Sequence, residues 1–447
     1  MVFKRKLYAR LLEWKGKSNR KPLIIRGARQ VGKSTLIRDF SKEYDHFIEL
    51  NLEKEKFRKL FEENDEVKDI LDLALLLSNT PGDNKKATLL FVDEIQESPA
   101  AIKKLRYFYE EFPDLHVIAA GSLLELAIQK IASFPVGRVE QEVLQPFDFE
   151  EFLMACGLDN YLVELNHIPY RLHMFGIMIK KYHEYAIIGG MPEIIKQFVA
   201  DKSYANLGPI YNNLWHAYMD DAEKYAKNQT ERKVLRHVFH TAALEKDRIS
   251  FAGFGNSNYR SREVGEALKM LDMSRVIRLV YPSTSTKPPM NEDIKKRPRL
   301  QFVDTGLLNY ILGIQAEMIG LDDLTDYYQG RIIQHLATQE IMAQVSMSLY
   351  KPRFWVREKK GSSAEVDLLY QQNNYLIPVE IKSGKQGKLR SLHQFMEETS
   401  HPYAIRMLAN NLSIEEARTP SGKQFFLMNL PYFLSSKIPE YTDYLIR

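Results

Sequence analysis

Residues 27–34, Gly-Ala-Arg-Gln-Val-Gly-Lys-Ser, constrain this chain more than any other stretch. They fit G-x-x-x-x-G-K-[ST], the loop that cradles nucleotide phosphates, and they stand where such a loop works. Pro22 to Ile25 is an apolar run that reads as a buried strand feeding the loop. Ser34 to Phe40 carries apolar positions three to four apart, which predicts a helix opening behind it. Gly27 and Gly32 let backbone N–H groups turn inward with no Cβ in the way. Gly27, Ala28, Arg29, Gln30, Val31, Gly32, Lys33, Ser34 and Thr35 are therefore the candidate cradle for ATP. Lys33 would put a point charge on the β and γ phosphates, and the Ser34 hydroxyl would ligate Mg²⁺. The helix N-terminus adds its partial positive charge behind them.

A second stretch fits the first. Leu89-Leu90-Phe91-Val92 ends in Asp93-Glu94, the pattern of a buried parallel strand delivering two carboxylates to its C-terminal edge. Asp93 would hold Mg²⁺ through its water shell, and Glu94 would polarise an attacking water. A third strand, Leu115 to Ala120, ends in Gly121-Ser122. Ser122 there reads either as a sensor of the γ phosphate or as part of an ordinary turn. Arg138, after Gly137, is a candidate transition-state arginine, supplied in cis or to a neighbouring subunit in an oligomer. A solvated or ion-paired arginine is the alternative.

Bulk properties narrow the class. At 447 residues, 45% of them hydrophobic and 27% charged, the chain suits a soluble protein of about three domains. No apolar run approaches the about 18 residues of a membrane span, and Met1 to Arg10 lacks the apolar core of a signal peptide. One cysteine, Cys156, leaves no internal disulfide and no cysteine-based zinc site, which suits a reducing cytoplasm. A net charge of +4 demands no polyanion by itself, so any nucleic-acid contact must come from local charge. Residues 1–20 read as an amphipathic packing helix with Leu7, Leu11, Leu12 and Trp14 on one side, and Glu53 to Asp69 as one highly charged helix with a solvated face.

Residues 151–230 read as helical, with Gly189-Gly190 and Pro192 making a sharp corner beside the nucleotide. From Thr230 the order becomes helix (Glu231–Glu245), helix (Ser261–Leu271), strand (Val276–Tyr281), polar loop (Ser283–Pro298), strand (Arg299–Asp304), as in a winged helix. The loop and its exit hold Lys287, Lys295, Lys296, Arg297 and Arg299 against Glu292 and Asp293. Such a wing would contact DNA phosphates. Winged helices also serve protein contacts, and that reading stands beside the first. Further on, Gly330 to Val345 reads as a helix carrying Glu340. Arg353 to Glu358, Glu365 to Tyr370 and Ile377 to Lys382 read as strands. Asp367, followed on the next strand by Glu380-x-Lys382, has the spacing of the PD-(D/E)XK nucleases. Glu380 and Lys382 point to one face. With Asp367 opposite, two carboxylates could share a metal that activates water, and Lys382 could orient that water or stabilise developing charge. Between Lys351 and Arg390 there are nine Lys or Arg against four Asp or Glu.

Taken together, the phosphate-loop string, Val-Asp-Glu-Ile-Gln, Ala-Gly-Ser-Leu-Leu, Pro-Phe-Asp-Phe-Glu-Glu-Phe, Gly189-Gly190-Met191-Pro192-Glu193 and Val303-Asp304-Thr305-Gly306-Leu307-Leu308 resemble the prokaryotic AAA-type ATPase family with a C-terminal DUF4143 region. The resemblance implies an α/β fold class in three parts. These are a P-loop NTPase parallel-sheet domain with a helical lid (1–200), a helical linker and winged-helix-like module (201–312), and a restriction-endonuclease-like domain (313–447). The family usually has a Glu four residues after the helix-opening Gly, where this chain has Gln334. That removes one negative charge from the metal site, and Glu340 is the candidate substitute. Two functions stay open: an ATP-driven enzyme acting on DNA and able to cut it, or a nucleotide-dependent switch with an inactive nuclease-like domain.

Overall fold

The computed structural model describes residues 2–79, 88–129, 134–321, 324, 330–345, 351–357, 364–381 and 389–447. Contacts divide the chain into two compact units. One is Met1–Gln145 with Met273–Val276 and Ser346–Leu349, and the other is Pro146–Asp272, Ile277–Val345 and Tyr350–Arg447.

The first unit is built on five parallel strands: β1 (Leu23–Arg26), β2 (His46–Asn51), β3 (Thr88–Asp93), β4 (His116–Gly121) and β5 (Glu140–Val143). Their order is β2-β3-β4-β1-β5. β1, β3 and β4 are buried along their whole length, which is why they read as unbroken apolar runs rather than alternating ones. Ile24, Leu90, Val92, Val117 and Ala119 share a core with Ile70, Leu105 and Phe108 from the covering helices. Because the strands are parallel, their C-terminal tips gather along one edge. Arg26 lies in register with Gly121, and Val92 with Ala119.

Two helix expectations need correcting here. The charged stretch forms two helices, Glu55–Glu63 and Val67–Leu77. The break is at Asn64, which is extended. The Lys104 ammonium takes the Phe61 carbonyl at 2.7 Å and also the Asn64 carbonyl, so the turn cannot propagate. In the N-terminal helix, Leu7–Gly16, the residues Leu7, Leu11 and Trp14 are buried but Leu12 is 42% exposed. One residue is about 100° of helix rotation, enough to carry Leu12 off the stripe set by the others.

The second unit begins in helices (Phe149–Ala155, Asp159–Leu165, Phe175–Ile188, Pro192–Asp201, Gly208–Glu223) and brings three of the quoted strings together. Phe147 donates its N–H to Gly190 O at 2.7 Å. Gly190 N–H donates to Asp304 Oδ2 at 2.5 Å, and Asp304 Oδ1 caps helix Thr305–Leu312 by accepting from Leu307 N–H at 2.9 Å. A Cβ at Gly190 would lie 2.1 Å from Phe147 O, and one at Gly306 2.1 Å from Ile188 O. The Gly189-Gly190 corner thus packs on Phe147, Asp304 and Gly306 of its own unit. Burial pushes the Asp304 carboxyl up to about 6 despite the backbone donors around it.

Next come helices Gln229–Ala242 and Ser261–Met273 and an antiparallel pair, β6 (Ile277–Val280) and β7 (Arg299–Phe302). The helix Arg331–Gln344 follows, and then a mixed six-stranded sheet. Its strands are β8 (Arg353–Val356), β9 (Glu365–Gln372), β10 (Tyr375–Ile381), β11 (Tyr403–Leu408), β12 (Ser413–Arg418) and β13 (Gln424–Pro431), in the order β12-β13-β11-β10-β9-β8. Leu392, Phe395 and Met396 of helix Arg390–Glu398 pack on Trp355, Val366 and Leu376. No described helix is long and apolar enough to cross a membrane.

Candidate functional site

The loop after β1 turns through backbone that only glycine tolerates easily. Gly27 has φ +155°, Gly32 has φ +94° and caps helix Lys33–Phe40, and a Cβ on Gly27 would meet Leu144 O at 2.3 Å. Arg5 holds the loop from behind, donating to Val31 O at 2.8 Å and to Gln145 O at 2.7 Å. The buried Lys33 ammonium donates back to Ala28 O at 2.8 Å and Gly27 O at 3.1 Å. Burial lowers its pKa to about 8, against the pull of Glu94 and Asp93. Thr35 and Gln30 are exposed, Arg29 half-buried, Ala28 and Val31 buried.

Across the same edge, Ser34 Oγ donates to both carboxylate oxygens of Asp93, at 2.9 and 3.1 Å. Burial, with Glu94 adding to it, raises Asp93 to about 6. Glu94 follows directly at φ +52°, and its carboxylate accepts from Gln96 Nε2 at 2.6 Å. A hydroxyl against a carboxylate is the oxygen-only donor set Mg²⁺ takes, and it stands beside the loop lysine, so these residues fit that ion. Ser122 is buried just past the tip of β4, between the strands carrying Gly27 and Asp93.

Arg138 is not at this edge. It precedes β5, whose Glu140 is in register with Leu23 at the start of β1, so it lies where the strands begin. It is half-exposed and pairs with Glu110 at 2.9 Å. A parallel sheet puts the two ends of each strand on opposite edges, so Arg138 cannot serve this chain's own loop.

Other arginines do reach the loop's edge. Arg26, the residue before Gly27, shares Glu125 with Arg275, at 3.5 and 2.5 Å respectively. Burial pushes Glu125 up, but the two guanidinium groups outweigh it and hold the carboxyl below its ordinary range. Arg275 is buried, with φ +62°, in the short segment that belongs to the first unit. Sequence reasoning missed it because nothing local marks it. Arg26 could have been suspected from its position before the loop.

The second candidate centre is on the mixed sheet. Asp367 on β9 and Glu380 on β10 flank the register pair Leu368 and Val379 of an antiparallel pairing, so they share a face. Glu380 is buried. Asp367 Oδ1 accepts from Gln334 Nε2 at 2.9 Å, Oδ2 accepts from Ile381 N–H at 2.9 Å, and Arg299 stands 3.6 Å away. Lys382 lies outside the described residues. Glu340 is not a substitute ligand. It is fully buried, accepting from Phe149 N–H at 3.2 Å and Tyr185 OH at 2.8 Å. On the helix Arg331–Gln344 it is six residues beyond Gln334, which points it elsewhere. Among the described residues no group of three His, Cys, Asp or Glu could hold a metal. Nearby, Lys295, Lys296 and Arg297 line an open hollow of about 640 Å³ with Arg248, Asp247 and Glu365.

Residues 19–153 match the model of an AAA domain. Residues 179–318 match a domain of unknown function, DUF8612, and residues 329–432 another, DUF4143. The parallel sheet and its loop define an AAA-type P-loop ATPase domain. The chain joins that N-terminal domain to a C-terminal DUF4143 domain, the combination its sequence resembles. Among solved structures, the Walker-type ATPase PABY2304 of Pyrococcus abyssi is 14% identical over 70% of this chain and 96% of its own, with a TM-score of 0.45. PCH-2 of C. elegans is 16% identical over 36% of this chain and 47% of its own, with a TM-score of 0.21. No curated protein matches the chain.

Proposed function

We propose that this protein hydrolyses ATP with Mg²⁺ at the Gly27–Thr35 loop and engages DNA through its basic C-terminal half without cutting it. The observation that carries the first part is the contact of Ser34 with Asp93 beside the buried Lys33, at 2.9 Å. Backbone N–H groups of residues 27–32 and the helix behind them face the phosphates. Lys33 would leave the Gly27 and Ala28 carbonyls for the β and γ oxygens, and Ser34 and Asp93 would hold Mg²⁺. When bound, Mg²⁺ would supply charge neutralisation on the transferred phosphoryl group. Glu94, released by Gln96, orients the attacking water, and Ser122 lies where it can report on the γ phosphate. Two buried arginines, Arg26 and Arg275, stand on the carboxylate of Glu125 beside the loop.

Turnover separates this enzyme from a switch that only binds nucleotide. Lys33→Ala is expected to weaken ATP binding by more than about tenfold, as loss of a buried charge-assisted contact does. Glu94→Gln is expected to bind ATP as wild type does and to lose about 10²-fold in kcat. Wild-type binding without hydrolysis would make the protein a switch.

DNA contact is supported by the helix–helix–hairpin order around β6 and β7, which suits a winged-helix-like module, and by the exposed Lys295 and Arg297. The mixed sheet suits a nuclease-like core. The neutral Gln334 bound to Asp367 favours a binding role for that core over cleavage.

A further inference from the structure

We propose that the acidic centre on the mixed sheet takes no divalent metal, because Arg299 is its resident cation. The inference concerns the second unit alone and does not rest on ATP hydrolysis. Arg299 opens β7, directly after the basic loop. Its guanidinium meets the Glu365 carboxylate, donates to Asp367 O at 3.2 Å, lies 3.6 Å from Asp367 Oδ1 and stacks over Phe354 at 4.4 Å. A second arginine, Arg248, holds the other oxygen of Glu365 at 2.9 Å. Two guanidinium groups thus face the two carboxylates of β9, Glu365 and Asp367, and match their charge before any ion arrives.

The remaining donors point the same way. Gln334 presents its amide N–H₂ to Asp367, so it offers that carboxylate a hydrogen where a metal ligand would offer the ion a lone pair. Ile381 N–H fills the second oxygen. Glu380, buried on β10, stands outside this pairing: its register neighbour on β11, Arg406, is held by Glu415 at 3.1 Å and Asn429 at 2.7 Å. The cavity at Asp367, lined by Arg299, Arg331, Gln334, Thr338 and Phe354, measures about 40 Å³. A rigid, planar, permanently charged guanidinium suits a fixed carboxylate pair, and here it ties the β6–β7 hairpin to the sheet.

The test is Mn²⁺ titration of the full chain without nucleotide, read by electron paramagnetic resonance, on wild type, Asp367→Asn, Arg299→Met and the double variant. Wild type and Asp367→Asn are expected to titrate alike within twofold, since Asp367 adds nothing to metal affinity. Arg299→Met is expected to gain at least tenfold in Mn²⁺ affinity, and the double variant to lose that gain. Wild type binding Mn²⁺ tenfold more tightly than Asp367→Asn overturns the proposal, as does an Arg299→Met protein that folds but gains nothing. If Arg299→Met does not fold, Arg299→Lys, which keeps the charge, is expected to titrate as wild type. A gained metal site in that variant would overturn the proposal too.

Discussion

Arg275 shows how one side chain can complete a site that its own neighbourhood in sequence does not announce. It is buried in the left-handed region, and its guanidinium holds Glu125 at 2.5 Å and 2.8 Å. Taking away one partner of a buried pair leaves an uncompensated charge, which costs far more than breaking a surface pair. Arg26 keeps a 3.5 Å contact to the same carboxylate, so the cost is cushioned. Arg275→Ala is therefore expected to destabilise the fold by about 3 kcal/mol, the low end for a broken buried pair. Glu125→Gln/Arg275→Gln should recover part of that loss, since neither partner is then charged. Urea unfolding measures both, and a loss within about 1 kcal/mol for Arg275→Ala would place the pair among ordinary surface contacts.

At the scale of elements, the second unit depends on a few places where backbone touches backbone. Gly190→Ala would set a Cβ 2.1 Å from Phe147 O and 2.9 Å from Phe147 N, atoms that cannot give way as a flexible side chain does. A loss of about 4 kcal/mol, or failure to fold, is expected. Gly137, at φ +74° with nothing within 4 Å of a Cβ, is the control, and Gly137→Ala should cost only about 1 kcal/mol of backbone strain. Thermal unfolding separates the two, and equal losses would show that crowding at Gly190 is relieved cheaply.

β7 and the helices Thr305–Leu312 and Arg331–Gln344 meet at His335. Its Nε2 accepts from Phe302 N–H at 2.9 Å, so the proton is assigned to Nδ1, which pairs with the Thr305 hydroxyl at 2.8 Å. Burial, with Arg331 adding to it, lowers the imidazole to about 3. Its folded pKa lies below the unfolded 6.5, so the stability it contributes is present above pH 6.5 and is lost as pH falls toward 3. Asp304, raised to about 6, works in the opposite sense: its contribution is present below pH 3.8 and is lost as pH rises through 6. Between about pH 4 and 6 the two nearly cancel. His335→Gln should therefore shift the slope of unfolding free energy against pH in that window by about 1.4 kcal/mol per unit, making the protein relatively more stable toward acid. Asp304→Asn should shift it by a similar amount the other way. Parallel pH curves for both variants would refute the assignment of these groups.

For the whole molecule the net charge of +4 is too small to decide what it binds, so the distribution of charge matters more. If the loop before β7 meets DNA, affinity should fall with salt. Each phosphate contact contributes about 0.9 to the slope of log affinity against log salt. Replacing Lys295, Lys296 and Arg297 by Ala is expected to lower that slope by about 2 to 3 while leaving ATP turnover unchanged. An unchanged slope would move the DNA contact elsewhere or remove it.

What the sequence determined by itself is local. The strand–loop–helix junction at Gly27–Ser34, the acid-tipped β3, the strands β9 and β10 and most helix positions follow from backbone period and from Cβ sterics at glycine, which act within a few residues. The tertiary structure decided which charges meet. Arg138 belongs to the same parallel-sheet unit as the loop but lies at the wrong edge of the sheet, while Arg275 arrives from far along the chain. Asp367 and Glu380 read as a metal pair until Arg299 and Gln334 are seen to occupy Asp367, and Glu340 reads as a ligand until its helix turns it onto Tyr185. Ion pairing and burial of this kind depend on closing long loops, and no short-range pattern encodes which carboxylate a distant guanidinium will find.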